Sequence, residues 1–364
     1  MPEGSAPLRN SRLRLSSGVE VAIRCAQPPL PPGEARRIAR FVECFLVEEY
    51  LNAILLGEFS EAACFTAGRG LVGDSVVATC WSGWGREFSD IAVMGGVATA
   101  EAYRGQGIAS AVVGAVCERF DSAGGRLLYL GAGNPAARRI YERLGFRRVA
   151  GQIFCRAARG ARPDEGFAAG RTVAARPASW RDMASIVPLY LQPHPCVLAD
   201  AGIGLPSARV AEPRRCVRIF WDLWKSIEPA GKWTILRNDL GWPVASALAR
   251  PAFADSSPPA GAAELRRAGA TAGKPFAPSA AGFSVDFLWH PDYSVEAAAF
   301  VAKWLEEIEA ASGCACRMLI CDGDDWKLRE ARRLGFEPAE GGGGTVDVNG
   351  RKVPLLSRVR QGGS

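Results

Sequence analysis

The residues whose types and spacing could do chemistry lie between Val97 and Ser110, VATAEAYRGQGIAS. A strand-like run ends near Thr99, and Arg104-Gly-Gln-Gly107 leads directly into a helical pattern. Such a turn can bind an anion. The first N–H groups of a helix lack intrahelical partners and the positive end of its dipole is exposed there, worth about 0.3–1 kcal/mol per favourable charge. Gly105 and Gly107 would bare the backbone to a phosphate, and Arg104 could add charge-assisted hydrogen bonds. The same spacing also suits a strand-to-helix join whose glycines serve only tight packing.

A second cluster, Asn134-Pro-Ala-Ala137 followed by Tyr141 and Leu144-Gly-Phe146, opens and closes another helix. Asn134 before Pro135 is a good N-cap. Gly131-x-Gly133-x-x-Ala136 also fits a dinucleotide fingerprint, but it stands late in its domain, and the segment 151–156 has no acidic residue for a ribose. A nucleotide cofactor is therefore not expected. Cys314, Cys316 and Cys321 have no Cys-x-x-Cys partner and the chain has only two histidines, so no metal is expected either.

Arg104, Gly107 and Ala109, with Asn134, Ala137, Tyr141, Gly145 and Phe146 downstream, resemble the two motifs of the GNAT superfamily of N-acetyltransferases, in order and at the family's separation. About 50 residues carry the resemblance well. It implies that Val97, Ala98 and Thr99 pair by backbone with a pantetheine arm. Arg104, Gly105, Gln106, Gly107, Ile108, Ala109 and Ser110 would then cradle the pyrophosphate, with Asn134 and Ala137 beside the cofactor. It further implies that acetyl-CoA is the cosubstrate and that Tyr141 protonates the departing thiolate, a step typically worth about 10² to 10⁴ in rate. Tyr141 also suits an ordinary core aromatic. The attacking amine must lose a proton; Asp90 is the candidate base, with Glu87 and Glu101 behind it, although each equally suits a solvated carboxylate. The resulting expectation is N-acyl transfer to a primary amine by direct attack in a ternary complex. A non-catalytic acyl-CoA-binding module is the alternative. A small-molecule acceptor is expected over a protein, met by the segment 34–58 and by Trp81 to Trp84.

The elements that would position these residues follow from pattern. A loose terminus is expected over 1–18, then a strand at Val21–Arg24, one or two amphipathic helices over 34–58, and strands over 62–67, 75–82 and 90–99 separated by turns such as Gly68-Arg-Gly70. A helix over 106–120, a buried strand over 126–130, a helix over 135–144 and a final strand over 146–155 complete an α+β domain spanning 19–158. A linker follows at 159–170. From 171 to 360 the pattern restarts, with a hairpin at 233–249, a Pro/Ala/Gly-rich insertion at 251–282, a strand at 283–289, a helix at 295–311, a strand at 317–321 and a last helix ending at Leu334-Gly-Phe336.

Tyr103 and Tyr293 stand 190 positions apart, as do Leu144 and Leu334. Two tandem GNAT-like domains are expected, each a mixed, mostly antiparallel twisted sheet flanked by helices. Under that offset Arg104, Gly105, Gln106 and Gly107 become Ser294, Val295, Glu296 and Ala297, Asn134 becomes Asp324 and Tyr141 becomes Ala331. The second copy is thus expected to have lost its site.

Composition sets the outer limits. The 364 residues are 48% hydrophobic and 23% charged, enough for a core in each of two domains. The net charge of +6 comes without a Lys/Arg block, which argues against nucleic acid. No apolar run of spanning length occurs, and the eleven cysteines lack the density of secreted scaffolds, so a cytoplasmic protein without membrane contact is expected. A homodimer is left open.

Overall fold

The computed structural model describes residues 11–44, 50–168, 173–228, 230–251, 282–339, 344–348 and 351–360. The expected insertion at 251–282 therefore lies almost wholly outside the described residues. The chain divides into two compact units. The first holds Met1–Glu165 with Ser179–Pro188 and Pro213–Phe220, and the second holds Gly166–Ala178, Leu189–Glu212 and Trp221–Ser364.

The first unit is a mixed sheet with helices. Its elements are β1 (Ser11–Arg14), β2 (Glu20–Ala26), α1 (Pro32–Glu43), α2 (Leu51–Leu56), β3 (Ala63–Val72), β4 (Ser75–Gly85), β5 (Phe88–Thr99), α3 (Ile108–Ser122), β6 (Leu127–Gly131), α4 (Pro135–Arg143), β7 (Arg147–Ala150) and β8 (Ile153–Ala157). The strand order is β1-β2-β3-β4-β5-β6-β8-β7. Neighbours run antiparallel except β5 and β6, which are parallel and joined through α3. Helix α3 lays Ile108, Val112, Val113, Val116, Cys117 and Phe120 against the sheet, the spacing of one helical face. Its far end is tied down where Arg156 of β8 grips Asp121 with two hydrogen bonds of 2.6 and 2.7 Å.

Three sequence expectations are corrected here. Gly68 and Gly70 are not a turn; they lie inside β3, beneath α3. A Cβ at Gly68 would stand 2.5 Å from Val116 Cγ2 and one at Gly70 2.9 Å from Ile108 Cγ2, so these glycines let the helix approach the strand. The turn is at Gly73-Asp74, where Val72 pairs with Ser75. Second, 146–155 is not one strand but part of a hairpin, β7 and β8 folding back around Gly151 at φ 50°. Third, the terminus assigned no fold contains β1, paired antiparallel with β2.

In the second unit the elements are β9 (Val173–Pro177), α5 (Val187–Leu191), β10 (Leu198–Asp200), β11 (Leu205–Pro206), α6 (Val217–Ile227), β12 (Lys232–Asn238), β13 (Pro243–Pro251), β14 (Phe283–Trp289), α7 (Ser294–Ser312), β15 (Cys316–Cys321), α8 (Asp325–Arg333), β16 (Glu337–Pro338), β17 (Thr345–Val348) and β18 (Arg351–Arg360). Helices α5 and α6 begin on residues of the first unit. The sheet order is β16-β18-β15-β14-β13-β12-β9, with β17 beside β18. Here too one neighbouring pair is parallel, β14 with β15, bridged by α7. Spacing agrees as well: the 3-10 turns Glu101–Tyr103 and Pro291–Tyr293, the strand ends Gly131 and Cys321, and the helices α4 and α8 are each 190 residues apart. Among the described residues no helix is long and apolar enough to cross a membrane.

Candidate active site

Strands β5 and β6 pair from Ile91↔Leu127 to Met94↔Leu130 and then part. Strand β5 runs on to Thr99, so Val97, Ala98 and Thr99 keep β4 on one side while their β6 side faces a widening gap. The cause is local. Between Thr79↔Ala98 and Trp81↔Gly95 the register shifts, because β5 spends one extra residue at Gly95-Gly96 in a bulge that bends the strand. Gly96 has φ 60°, and its carbonyl accepts a hydrogen bond of 2.8 Å from Thr79 Oγ1. The Trp81 ring covers the bulge; Cβ atoms at Gly95 and Gly96 would stand 2.8 and 2.6 Å from it. Sequence reasoning missed the bulge, although a glycine pair inside a strand pattern is its signal. Trp81 and Trp84 were expected in an acceptor loop. They are instead buried in β4, Trp84 with its ring 5.5 Å from that of Phe120.

After Thr99 the chain makes a 3-10 turn over Glu101–Tyr103 and reaches α3 through Arg104–Gly107. Gly105 and Gly107 have φ of 75° and 82°, left-handed values that strain any residue with a Cβ. A Cβ at either would meet nothing within 4 Å, so crowding does not demand these glycines and the turn lies bare. No side chain caps the start of α3, whose N-cap is Gly107 itself. Arg104 Nε donates to the Thr99 carbonyl at 3.2 Å and Gln106 Nε2 to the Ala102 carbonyl at 3.1 Å, fastening the turn from within. Ile108 is buried as the first anchor of α3, while Ala109 and Ser110 are half-buried. These residues fit a diphosphate: unfilled helix donors, an open surface and an adjacent guanidinium.

Across the gap, β6 ends at Gly131 and α4 begins after Asn134, whose Oδ1 accepts from the Ala136 N–H at 2.8 Å. Asn134 is exposed and Ala137 half-buried. Tyr141, two turns along α4, is 5% exposed and packs edge-on against Phe146, ring centroids 5.9 Å apart. Burial, with Cys80 nearby, pushes the pKa of its phenol well above the ordinary tyrosine value, so Tyr141 stays protonated at neutral pH.

The carboxylates are not gathered into this site. Asp90 lies on the paired stretch of β5, four residues and about 13 Å before the divergence. Its carboxylate faces Arg126 at 3.9 Å, and Arg126 also meets Glu165 at 2.7 Å. Glu87 pairs with Arg181, and Glu101 is exposed in the 3-10 turn. Periodicity placed Asp90 on the correct strand but could not place it relative to the point where that strand loses its neighbour.

Residues from beyond 170 complete the first unit. Pro213 accepts the Gln152 N–H at 2.8 Å, and the backbone of Arg214 lies over Gly131, where a Cβ would collide with its carbonyl. Trp180 stacks on Phe59, ring centroids 3.6 Å apart, and meets Tyr50 and Phe220 edge-on.

The parallel pair β5–β6 thus opens beyond a bulge towards a bare glycine turn and the start of α3. Residues 35–146 match the Acetyltransferase (GNAT) family model. That match, over about a third of the chain, supports an acyltransferase enzyme. No curated protein matches the sequence. Among solved structures, a GNAT-family acetyltransferase from Desulfovibrio desulfuricans is 20% identical, covering 37% of this chain and 98% of its own, with a TM-score of 0.32. A phosphinothricin acetyltransferase from Sinorhizobium meliloti, solved with AcCoA, is 14% identical over 53% of this chain and 90% of its own, with a TM-score of 0.36. A GCN5-related N-acetyltransferase from Kribbella flavida is 14% identical over 75% of this chain and 59% of its own, with a TM-score of 0.31.

Proposed function

We propose that the chain transfers an acetyl group, or a related short acyl group, from its coenzyme A thioester to a primary amine on a small molecule, by direct attack in a ternary complex. The observation that carries this reading is the parting of β5 and β6 after Met94, on the strand that leads through Thr99 to the bare Gly105–Gly107 turn. The backbone of Val97, Ala98 and Thr99 would pair with the amide-bearing arm of the cosubstrate, which needs an open strand edge. Arg104 to Ser110 would hold its diphosphate, and Asn134 and Ala137 would flank it. The amine nitrogen forms the new bond to the acyl carbon as the carbon–sulfur bond breaks, and the sulfur takes a proton from the Tyr141 hydroxyl. The amine gives its proton to water, since Asp90 is engaged by Arg126. All eleven cysteines are free thiols, which suits a reducing cytoplasm.

We also read the second unit as a GNAT-like copy that has lost its site. The shared 190-residue spacing and the single parallel pair support this. Glu296 at the start of α7 would repel a diphosphate, and Ala331 stands where Tyr141 stands in the first unit.

Release of CoA thiol from acetyl-CoA over a panel of small primary amines tests the proposal. Turnover with at least one amine, lowered in both Tyr141→Phe and Gly107→Glu, is expected. Tight CoA binding without turnover on any amine would replace the enzyme with a binding module.

A further inference from the structure

Strands β14 and β15 also part, after Val285↔Met318, while β14 continues to Trp289 and β15 to Cys321. In this unit the opening holds protein. The segment Cys196–Ala201, containing β10, touches all three walls of the divergence. The Ala201 N–H donates to Asp286 Oδ2 on the freed part of β14 at 2.7 Å. The Val197 N–H donates at 2.7 Å to Oδ2 of Asp324, the N-cap of α8, whose Oδ1 takes the Lys327 N–H at 3.1 Å. The Lys327 ammonium donates to the Ala199 carbonyl at 3.3 Å and to Asp286 Oδ1. Leu198 and Ala201 close a buried cluster with Cys321 at the end of β15, and with Val348 and Leu355.

These partners are built for the segment. Asp286, Asp324 and Lys327 are all at least 98% buried, and ionised groups so far from water persist only when paired and hydrogen-bonded. The segment's backbone supplies part of that pairing: two N–H groups on two carboxylates and one carbonyl on the ammonium. Asp200 in the same segment is held by Arg250 at 2.6 Å, a second buried ion pair. An extended backbone in a strand divergence, satisfied at alternating donors and acceptors, does what the amide-bearing arm of a thioester cosubstrate would do in the first unit.

We infer that Cys196–Ala201 is an internal substitute for that arm, filling the second unit's cleft, so that each chain binds one acyl-CoA in its first unit only. The inference rests on the proposed reading for what occupies the first unit. It does not rest on it for the segment's own burial.

The test titrates the full chain with acetyl-CoA by calorimetry and follows backbone hydrogen exchange over 104–110 and 196–201 with and without it. One equivalent per chain is expected, slowing exchange at 104–110. Exchange at 196–201 should be about a hundredfold or more slower than in the unfolded chain before any ligand is added, and unchanged after. Lys327→Met should speed exchange at 196–201 at least about tenfold while leaving 104–110 as in the parent. Two equivalents, a ligand-induced change at 196–201, or fast exchange there in the unliganded chain would overturn the inference. If no acetyl-CoA binds, the reading of the first unit fails, and the exchange rate at 196–201 still decides the fate of the segment.

Discussion

Thr79 Oγ1 donates to the carbonyl oxygen of Gly96 at 2.8 Å, bridging β4 to the bulge of β5. That bond sits under Trp81 and holds the bulge just beyond the last pair that β5 makes with β6, Met94↔Leu130. The bulge, the divergence and the free edge of Val97–Thr99 form one mechanical unit.

Gly96→Ala tests that unit. The new methyl would sit 2.6 Å from Trp81 Cδ1 at a residue with φ 60°, so either the ring or the bulge must give. A left-handed alanine costs about 1–2 kcal/mol before any clash. Acetyl-CoA affinity, measured by calorimetry, should fall at least about tenfold, a loss of about 1.4 kcal/mol. Thr79→Val, which keeps shape and loses the hydrogen bond, should fall by less. Unchanged affinity in Gly96→Ala would mean that the divergence does not depend on the bulge.

Gly107 separates strain from recognition. A Cβ there meets nothing within 4 Å, so Gly107→Ala carries only the cost of φ 82°, about 1 kcal/mol, seen as a small drop in Tm. Gly107→Glu adds a negative charge at the uncapped start of α3, where a diphosphate would lie. The KM for acetyl-CoA should rise far more in the glutamate variant than in the alanine variant while their Tm values stay close. Equal KM values would remove this turn from the cosubstrate's path.

Tyr141→Phe should lower kcat about 10² to 10⁴-fold with little change in KM for acetyl-CoA, because only the proton-donating hydroxyl is lost. Burial raises the pKa of the phenol, so its acid form persists beyond the ordinary tyrosine range. The parent's pH–rate profile should therefore show no alkaline fall from this residue near pH 10. A phenylalanine variant with parental kcat would return Tyr141 to the core.

How far the sequence could be read depended on how local each cause is. Asn134 as a cap and the bare turn at Gly105 and Gly107 follow from a few adjacent residues, and α3 follows from a single repeating face. Gly68 and Gly70 were misread as a turn because their reason, the closeness of Val116 and Ile108, lies some 40 residues away. A shorter separation, 17 residues from Thr79 to Gly96, hid the bulge, since Trp81 and Thr79 belong to the preceding strand. Pro213–Phe220, which adjoins Gly131 and Gln152, and Cys196–Ala201, which fills the second divergence, have no periodic signature; only partners far along the chain give them a place.

His194 gives the second unit a pH dependence. It is fully buried, and Nε2 donates to the Leu189 carbonyl at 2.6 Å. Burial outweighs the backbone hydrogen bonds to Leu189 and Trp289 and, with the nearby charges of His290 and Lys327, lowers its pKa from 6.5 to about 4. Since the folded value is depressed, the unfolded chain takes up the proton first as pH falls. Stability is full above about pH 6.5 and declines towards pH 4, by on the order of 3 kcal/mol. Denaturant unfolding at pH 7 and pH 4.5 should show this loss in the parent and a smaller one in His194→Gln. An equal loss in both would assign the pH dependence to other groups.

Asp286 and Lys327 decide whether the charges in the second divergence stabilise the unit or only specify what fills it. Both side chains are at least 98% buried, and the pair is shared with the backbone of Ala199 and Ala201. Burial works against the Lys327 ammonium, but the Asp286 carboxylate holds it charged. Removing the cation alone leaves the buried Asp286 carboxyl without its ammonium and beside the Asp200 carboxylate, so Lys327→Met should cost about 3–5 kcal/mol of unfolding free energy. Removing both charges, in Lys327→Met with Asp286→Leu, should recover much of that loss, because a desolvated pair barely outweighs an apolar replacement of similar volume. A double variant as unstable as the single one would instead show that the Ala201 N–H depends on the Asp286 carboxylate, since leucine leaves that donor without an acceptor.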